Sequence, residues 1–145
     1  MTDTAPRQAQ ARPARPSSAA TRGRLDPDAA SAMLDIMIQS LTATQAHELV
    51  SRGGIEIVDV RDPGEWATGH LPGARLVPLD QLRRNPASVL TRDGVLFVCA
   101  AGMRSQAAAR IAVSHGLTAV YNLSSGTRGW VNAGFALVND MSVAV

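Results

Sequence analysis

The residue best suited to carry out a reaction is Cys99, the only cysteine in the 145-residue chain. It directly follows a short apolar run, Val95 to Val98, which is typical of a strand buried on both faces of a sheet. An alanine-rich segment, 105–114, then predicts a helix that ends before Gly116. The thiol therefore lies in a tight turn between a strand and a helix. The residues that complete this turn are Ala100, Ala101, Gly102, Met103 and Arg104.

This position favours the ionised form of a cysteine, which is the nucleophilic form. A turn that enters a helix directs several unpaired backbone N–H groups into one concavity, and the helix dipole adds partial positive charge there. Gly102 allows backbone angles that would let the loop wrap around an anion, and Arg104 can add a permanent positive charge. Small Ala100 and Ala101 leave room above the sulfur. The alternative interpretation is a buried core thiol, which does not need the Gly-Met-Arg-Ser that follows Cys99.

The distribution of charge argues against a nucleic-acid-binding domain. The chain has 14 arginine and lysine residues against 12 acids, a formal net charge of +2. Residues 1–24 carry a net charge of +4, so that the remainder of the chain is mildly acidic at −2. A nucleic-acid-binding domain would carry its positive charge on the folded surface.

The sequence also limits the compartment and the kinds of cofactor. The sequence has no stretch of about 18 apolar residues, so it predicts no membrane-spanning helix. The first residues also lack the apolar core of a secretory signal. One cysteine cannot form an intramolecular disulfide, and no His, Asp and Glu cluster has metal-ligand spacing. A lone thiol suits a reducing compartment, so we predict a cytoplasmic protein without a metal or other cofactor.

Strands and helices alternate along the chain, which predicts an α/β fold on a mainly parallel sheet. Thr42 and Gln45 form a capping-box pattern at one predicted helix start. The predicted strands are 55–60, 75–77, 95–98 and 119–123, and the predicted helices are 28–39, 42–51, 65–67, 79–84, 105–114 and 126–133. In such a sheet the functional crevice lies at the carboxyl ends of the strands, where Cys99 is placed.

Three segments resemble the rhodanese-like domain family. Residues 57–74 are similar to its first sequence signature, residues 99–105 to its active-site loop, and residues 126–138 to its closing segment. They occur in the family's order and spacing, although Ser124-Ser125-Gly126 replaces the Glu-Gly-Gly of many relatives. The resemblance implies a five-stranded, mainly parallel sheet with helices on both faces. It covers the predicted rhodanese-like domain, residues 41–139, which a C-terminal tail (140–145) follows. Before the domain, composition predicts a disordered tail (1–25) and the helical spacing of apolar residues predicts an appended amphipathic helix (26–40).

The resemblance implies a sulfurtransferase in which Cys99 is the catalytic nucleophile and carries a covalent persulfide. The persulfide would be surrounded by a substrate-binding loop consisting of Ala100, Ala101, Gly102, Met103, Arg104 and Ser105. The expected reactants are a small-molecule sulfur donor and a thiol or cyanide acceptor, and a protein donor or acceptor is equally compatible. For Arg104, contact with an anionic donor and pairing with a nearby acid both remain open. With no second cysteine, the persulfide must be transferred to an external acceptor.

Loop length separates this chain from related phosphatases. Cysteine-dependent phosphatases have five residues between Cys and Arg, since a phosphate is larger than a sulfur atom, whereas Cys99 and Arg104 are separated by four. We interpret Asp59, Arg61, Glu65 and His70 as structural support: Asp59 for bonding to loop backbone, Arg61 and Glu65 as a pair that braces the turn, and His70 as a packed histidine.

Two other functions are consistent with the same sequence. A non-catalytic regulatory or binding module would use the tail and the 28–39 helix to recruit a partner. A thiol redox sensor would use the same activated Cys99 for reversible oxidation.

Overall fold

The computed structural model describes residues 26–139, so the predicted tails, 1–25 and 140–145, lie outside the described residues. The chain divides between Ala32 and Met33 into two compact units. A first helix, α1 (Pro27–Ile36), crosses this division. The second unit contains the sheet and Cys99.

Five short strands form one sheet in the order β1-β5-β4-β2-β3, and every neighbouring pair is parallel. The strands are β1 (Gln39–Leu41), β2 (Glu56–Asp59), β3 (Arg75–Leu76), β4 (Val95–Val98) and β5 (Val120–Leu123). This confirms the predicted α/β class and the five-stranded sheet. The central strand is β4, which carries Cys99 at its carboxyl end.

Helices cover both faces of the sheet because both faces are apolar. Along β4, Val95 and Phe97 belong to one buried cluster, whereas Leu96 and Val98 belong to another. Such an unbroken apolar strand requires cover on two sides. After α1, the described helices are α2 (Ala43–Ser51), α3 (Pro63–Ala67), α4 (Leu79–Arg84), α5 (Pro86–Val89), α6 (Met103–Ser114) and α7 (Gly126–Asn132).

Near the start of the predicted domain, the sequence located one helix boundary correctly and another incorrectly. The capping box at α2 is present: Thr42 Oγ1 accepts from Gln45 N, and Gln45 Oε1 accepts from Thr42 N. The helix predicted over 28–39 ends at Ile36, and the residues after it form β1 instead. Strand β1 therefore spans the position, between residues 40 and 41, where the sequence places the start of the domain.

One aspartate aligns the starts of the two strands that carry the site. Asp93, just before β4, accepts hydrogen bonds from Thr118 N (2.9 Å), Thr118 Oγ1 (2.6 Å) and Ala119 N (2.8 Å), just before β5. The Thr118 hydroxyl, above all, holds the pKa of Asp93 below its usual value. The carboxylate thus fixes the register of β4 against β5, and with it the position of Cys99 relative to β5.

Within residues 26–139 no helix has the length and apolar character needed to cross a membrane.

Candidate active site

The Cys99 loop, residues 99–104, turns from β4 into α6 and places backbone donors around the sulfur. Gly102 N donates to Cys99 Sγ at 3.1 Å and Ser105 N donates to it at 3.3 Å. The Ser105 hydroxyl oxygen lies 3.3 Å from the same sulfur. Gly102 has a left-handed backbone with φ of 97°, as the sequence predicts, and it directly precedes α6. The loop therefore presents the start of α6 to the sulfur.

These donors make the thiol more acidic. Burial raises the pKa of the Cys99 thiol, but hydrogen bonds from the Ser105 hydroxyl, when its proton is turned toward the sulfur, and from the backbone N–H groups of Ser105, Ala101 and Gly102 lower it by more. The pKa of Cys99 therefore lies below the ordinary value of a cysteine. A larger fraction of thiolate, the nucleophilic form, is present at neutral pH than in a free cysteine.

The start of α7 sets the orientation of the peptide planes in the Cys99 loop. Thr127 N donates to the carbonyl of Cys99 at 2.9 Å, and Arg128 N donates to the carbonyl of Ala100 at 3.3 Å. In a trans peptide the C=O and the following N–H point in opposite directions. Holding these two carbonyls against α7 therefore turns the N–H groups of Ala100 and Ala101 away from α7.

Two glycines allow this close approach between the loop and the turn that enters α7. A Cβ on Gly102 would overlap the carbonyl group of Ser124, and a Cβ on Gly126 would overlap the carbonyl of Ala100. Each segment therefore contributes one glycine at the point where it meets the backbone of the other.

Arg104 is held by Glu65 at the edge of the loop. Its guanidinium makes two parallel hydrogen bonds, Nη1 to Oε1 at 2.7 Å and Nη2 to Oε2 at 2.9 Å. These bonds hold the pKa of Glu65 at about 2, against its usual 4.5, and the carboxylate in turn raises the pKa of Arg104. Of the two roles left open for Arg104, pairing with an acid is the one present in this structure.

The predicted pair of Arg61 with Glu65 is wrong. Arg61 turns back on Asp59, with hydrogen bonds of 2.8 to 3.1 Å, and its Nη2 also donates to the carbonyl of Gly69 at 2.7 Å. Both Arg61 and Asp59 are buried, so each needs an opposite charge within hydrogen-bond distance. Asp59 also accepts from the backbone N–H of Arg61, which agrees with its predicted bonding to loop backbone.

His70 lies in the core below this turn. Its ring stacks on Trp66 with centroids 3.5 Å apart, and its Nδ1 lies 3.2 Å from the carbonyl of Leu71. The residue is fully buried, and its backbone pairs with Val138 in both directions. This placement is that of a packed histidine, and it brings no ring nitrogen to Cys99.

Asn122 is a neighbour of the site that the sequence analysis did not single out. It lies in β5 opposite Phe97 of β4, is 3 % exposed, and accepts a 2.6 Å hydrogen bond from the Ser105 hydroxyl through Oδ1. A polar side chain in an otherwise apolar strand was the signal in the sequence that could have identified Asn122.

The mouth of the Cys99 loop is apolar: Met103 is 83 % exposed and Ala101 is also exposed.

No group of three or more His, Cys, Asp or Glu side chains that would bind a metal ion occurs in the part of the chain that the structure describes.

The family model for the rhodanese-like domain matches residues 42–133. The chain is 37 % identical over 75 residues to the uncharacterized protein YqhL of Bacillus subtilis, a match that covers 52 % of this chain and 60 % of YqhL. It is 35 % identical over 86 residues to the thiosulfate sulfurtransferase GlpE of Stutzerimonas stutzeri, covering 59 % of this chain and 78 % of GlpE. Among solved structures, a rhodanese-related protein from Thermoplasma volcanium matches with a TM-score of 0.63 and 28 % identity, covering 70 % of this chain and 99 % of that one.

The chain belongs to the rhodanese-like domain family. The fold is the one that the resemblance seen in the sequence implies.

The contact between Gly102 and the Ser124 carbonyl can be tested with a matched control. Gly116, which follows α6, has a similar φ of 103° but open space where a Cβ would be, whereas Gly102 does not. G116A should lower the free energy of unfolding by about 1–2 kcal/mol through backbone strain alone. G102A should lower it by roughly a further 1–3 kcal/mol, because the added methyl group must displace backbone. Urea denaturation of both variants measures the difference, and equal losses would show that the loop does not need this close approach.

Proposed function

We propose that this protein is a sulfurtransferase that moves sulfane sulfur from a donor to a thiophilic acceptor through a persulfide on Cys99. The observation that supports it most directly is that the Cys99 sulfur accepts hydrogen bonds from the backbone N–H groups of Gly102 and Ser105, in a domain of the rhodanese-like family. A group of N–H donors fixed around one sulfur stabilises negative charge there without reorganisation. A single free thiol is suited to a reducing compartment, so we propose that the protein is located in the cytoplasm.

The first half of the reaction loads the sulfur. The Cys99 thiolate attacks the outer sulfur of the donor, a new S–S bond forms, and the old bond to that sulfur breaks with its electron pair leaving on sulfite, from thiosulfate, or on a thiolate, from an organic persulfide. The product is a Cys99 persulfide anion. Negative charge is present on the cysteine side both before and after this step, so the loop N–H groups are useful in both states.

The second half unloads the sulfur. A cyanide ion or a thiolate attacks the outer sulfur of the persulfide, the S–S bond breaks, and its electron pair returns to Cys99 as thiolate. Because Cys99 is the only cysteine, no thiol of the same chain competes with the external acceptor. No net oxidation occurs over the cycle, and the free enzyme is restored.

The described contacts argue against phosphate chemistry. A phosphatase loop needs a guanidinium directed at the bound phosphate, whereas Arg104 is engaged by Glu65 in two hydrogen bonds. The loop between Cys99 and Arg104 is also one residue shorter than that of cysteine-dependent phosphatases.

Double-displacement kinetics test the proposal. Initial rates of transfer from thiosulfate, or from an organic persulfide, to cyanide should give parallel lines in double-reciprocal plots, since donor and acceptor never bind together. C99S should abolish transfer while its circular dichroism and unfolding midpoint stay close to the wild type. Transfer retained by C99S would contradict the proposal, as would intersecting lines for both donors.

The charge around Arg104 predicts which donors are used well. Ala100, Ala101 and Met103 are uncharged, and Glu65 neutralises Arg104, so within the loop itself mainly the backbone N–H groups attract dianionic thiosulfate. We therefore propose that an organic persulfide of low charge is the better donor.

The Glu65 carboxylate can be removed with little change in shape. E65Q should raise kcat/KM for thiosulfate roughly three- to tenfold, because it leaves the Arg104 charge uncompensated, and R104A should lower it, because Glu65 then repels the anion. Neither variant should change kcat/KM for a low-charge persulfide by as much. E48Q, which removes the same charge from the exposed pair of Glu48 with Arg52, is the matched control. Equal effects of E65Q and E48Q on thiosulfate would disprove this explanation of donor choice.

A non-catalytic binding module is the second candidate, and one observation favours it. Cys99 is only 1 % exposed, which is the burial of a core residue. If the thiol of the folded protein reacts with neither donor nor a small alkylating reagent, the burial describes a closed site and the binding function is the better interpretation. Alkylation at a rate that rises with pH would exclude a closed site.

A further inference from the structure

The Ser105 hydroxyl has one proton and two neighbours that can accept it. Asn122 Oδ1 lies 2.6 Å from the hydroxyl oxygen, and Cys99 Sγ lies 3.3 Å from it. An amide oxygen accepts hydrogen bonds but cannot donate them, so the short contact to Asn122 uses the Ser105 proton. While this bond exists, Ser105 offers Cys99 only a lone pair, which suits a neutral S–H group and not a thiolate.

The orientation of the Asn122 amide is fixed by what lies behind it. Its Nδ2 donates to Gln106 Oε1 at 2.8 Å and faces the carbonyl of Gly102 at 3.3 Å, so Oδ1 must face Ser105. Both of these partners are acceptors. An amide turned the other way would place its oxygen against two oxygens.

Gln106 is oriented in turn by a carboxylate. Its Nε2 donates to Asp35 Oδ1 at 2.8 Å, and Asp35 is held in two hydrogen bonds by Arg110, at 2.7 and 3.0 Å. These bonds, that of Arg110 above all, keep the pKa of Asp35 below its usual value. An ionised carboxylate only accepts. The direction of every hydrogen bond from α1 to the active-site serine therefore follows from the charge on Asp35.

We propose that Asn122 is a positioning residue that draws the Ser105 proton away from Cys99 and so opposes ionisation of the thiol. To donate to the thiolate, the Ser105 hydroxyl must rotate and leave Asn122 Oδ1 without its partner, which costs part of a buried hydrogen bond. This inference rests on the proposed function only in that the Cys99 thiolate is taken as the nucleophile.

Asn122 would thereby set the balance between the two half-reactions. A more basic thiolate is the stronger nucleophile toward the donor, whereas a less basic thiolate is the better leaving group when the acceptor attacks the persulfide. Removing the Asn122 oxygen should therefore slow loading per thiolate and speed unloading. A purely structural role would not divide the effect between the two steps in this way.

The charged groups around the loop are the same in every protein to be compared. They are Arg104 with Glu65, Arg128 at the start of α7, Asp59 with Arg61 at the end of β2, and Asp35 with Arg110 beyond Gln106. Asn122 and Ser105 are uncharged, so replacing either leaves these charges unchanged.

A double-mutant cycle tests the proposal by direct titration. Cys99 is the only thiol, so the ultraviolet absorbance of its thiolate, with C99S subtracted as a blank, gives its pKa whether or not a reagent reaches it. N122A should lower this pKa and raise the thiolate fraction about threefold or more below it, because the Ser105 hydroxyl becomes free to donate to the sulfur. S105A should raise the pKa. In the S105A background, N122A should have no further effect.

Two outcomes would overturn the proposal: no decrease with N122A alone, or the same decrease with and without Ser105. The result does not depend on sulfur transfer, so a failure of the proposed function, with a normal titration cycle, remains distinguishable.

Discussion

The two hydrogen bonds from α7 to the carbonyl oxygens of Cys99 and Ala100 are the contacts on which the candidate site depends. A peptide group is rigid, so fixing its carbonyl on one side fixes its N–H on the other. At the same time, the first N–H groups of α7, which have no partner within the helix, obtain acceptors. One set of contacts thus satisfies a helix end and orients the backbone donors of the Cys99 loop.

The small residues of the loop follow from the same constraint. Gly102 and Gly126 each approach the backbone of the opposite segment so closely that a methyl group would not fit. The short loop that results surrounds one sulfur atom with N–H groups and leaves its charged residue, Arg104, outside the ring in a pair with Glu65. Selectivity for sulfur over phosphate, and for a low-charge donor over thiosulfate, are in our proposal two consequences of this geometry.

Local patterns in the sequence predicted most of the fold, because the relevant forces act over a few residues. The apolar run of β4, the capping box at α2 and the glycine before α6 each gave a correct prediction. Strand β1 was missed as an element because Gln39, Ser40 and Leu41 show no alternation and pair only with β5, which lies about 80 residues further along the chain. The resemblance to the family implied a fifth strand but did not locate it.

The site was less predictable where partners lie on different elements. Arg104 and Glu65 are 39 residues apart, and the nearer pairing of Arg61 with Glu65 was wrong because Arg61 is buried against Asp59. Asn122 was overlooked because its importance comes from Ser105 and Gln106, which are on α6, and not from its own neighbours in the chain. Such relations become visible only when the elements are packed together.

Intact-protein mass spectrometry tests the central claim, that Cys99 carries sulfur as a persulfide, most directly. The wild-type protein incubated with an organic persulfide, and separately with thiosulfate, should gain the mass of one sulfur atom with at least the first donor. That mass should be lost on addition of cyanide and should never appear on C99S. A folded wild-type protein with a reactive thiol that gains no sulfur from either donor would contradict the claim.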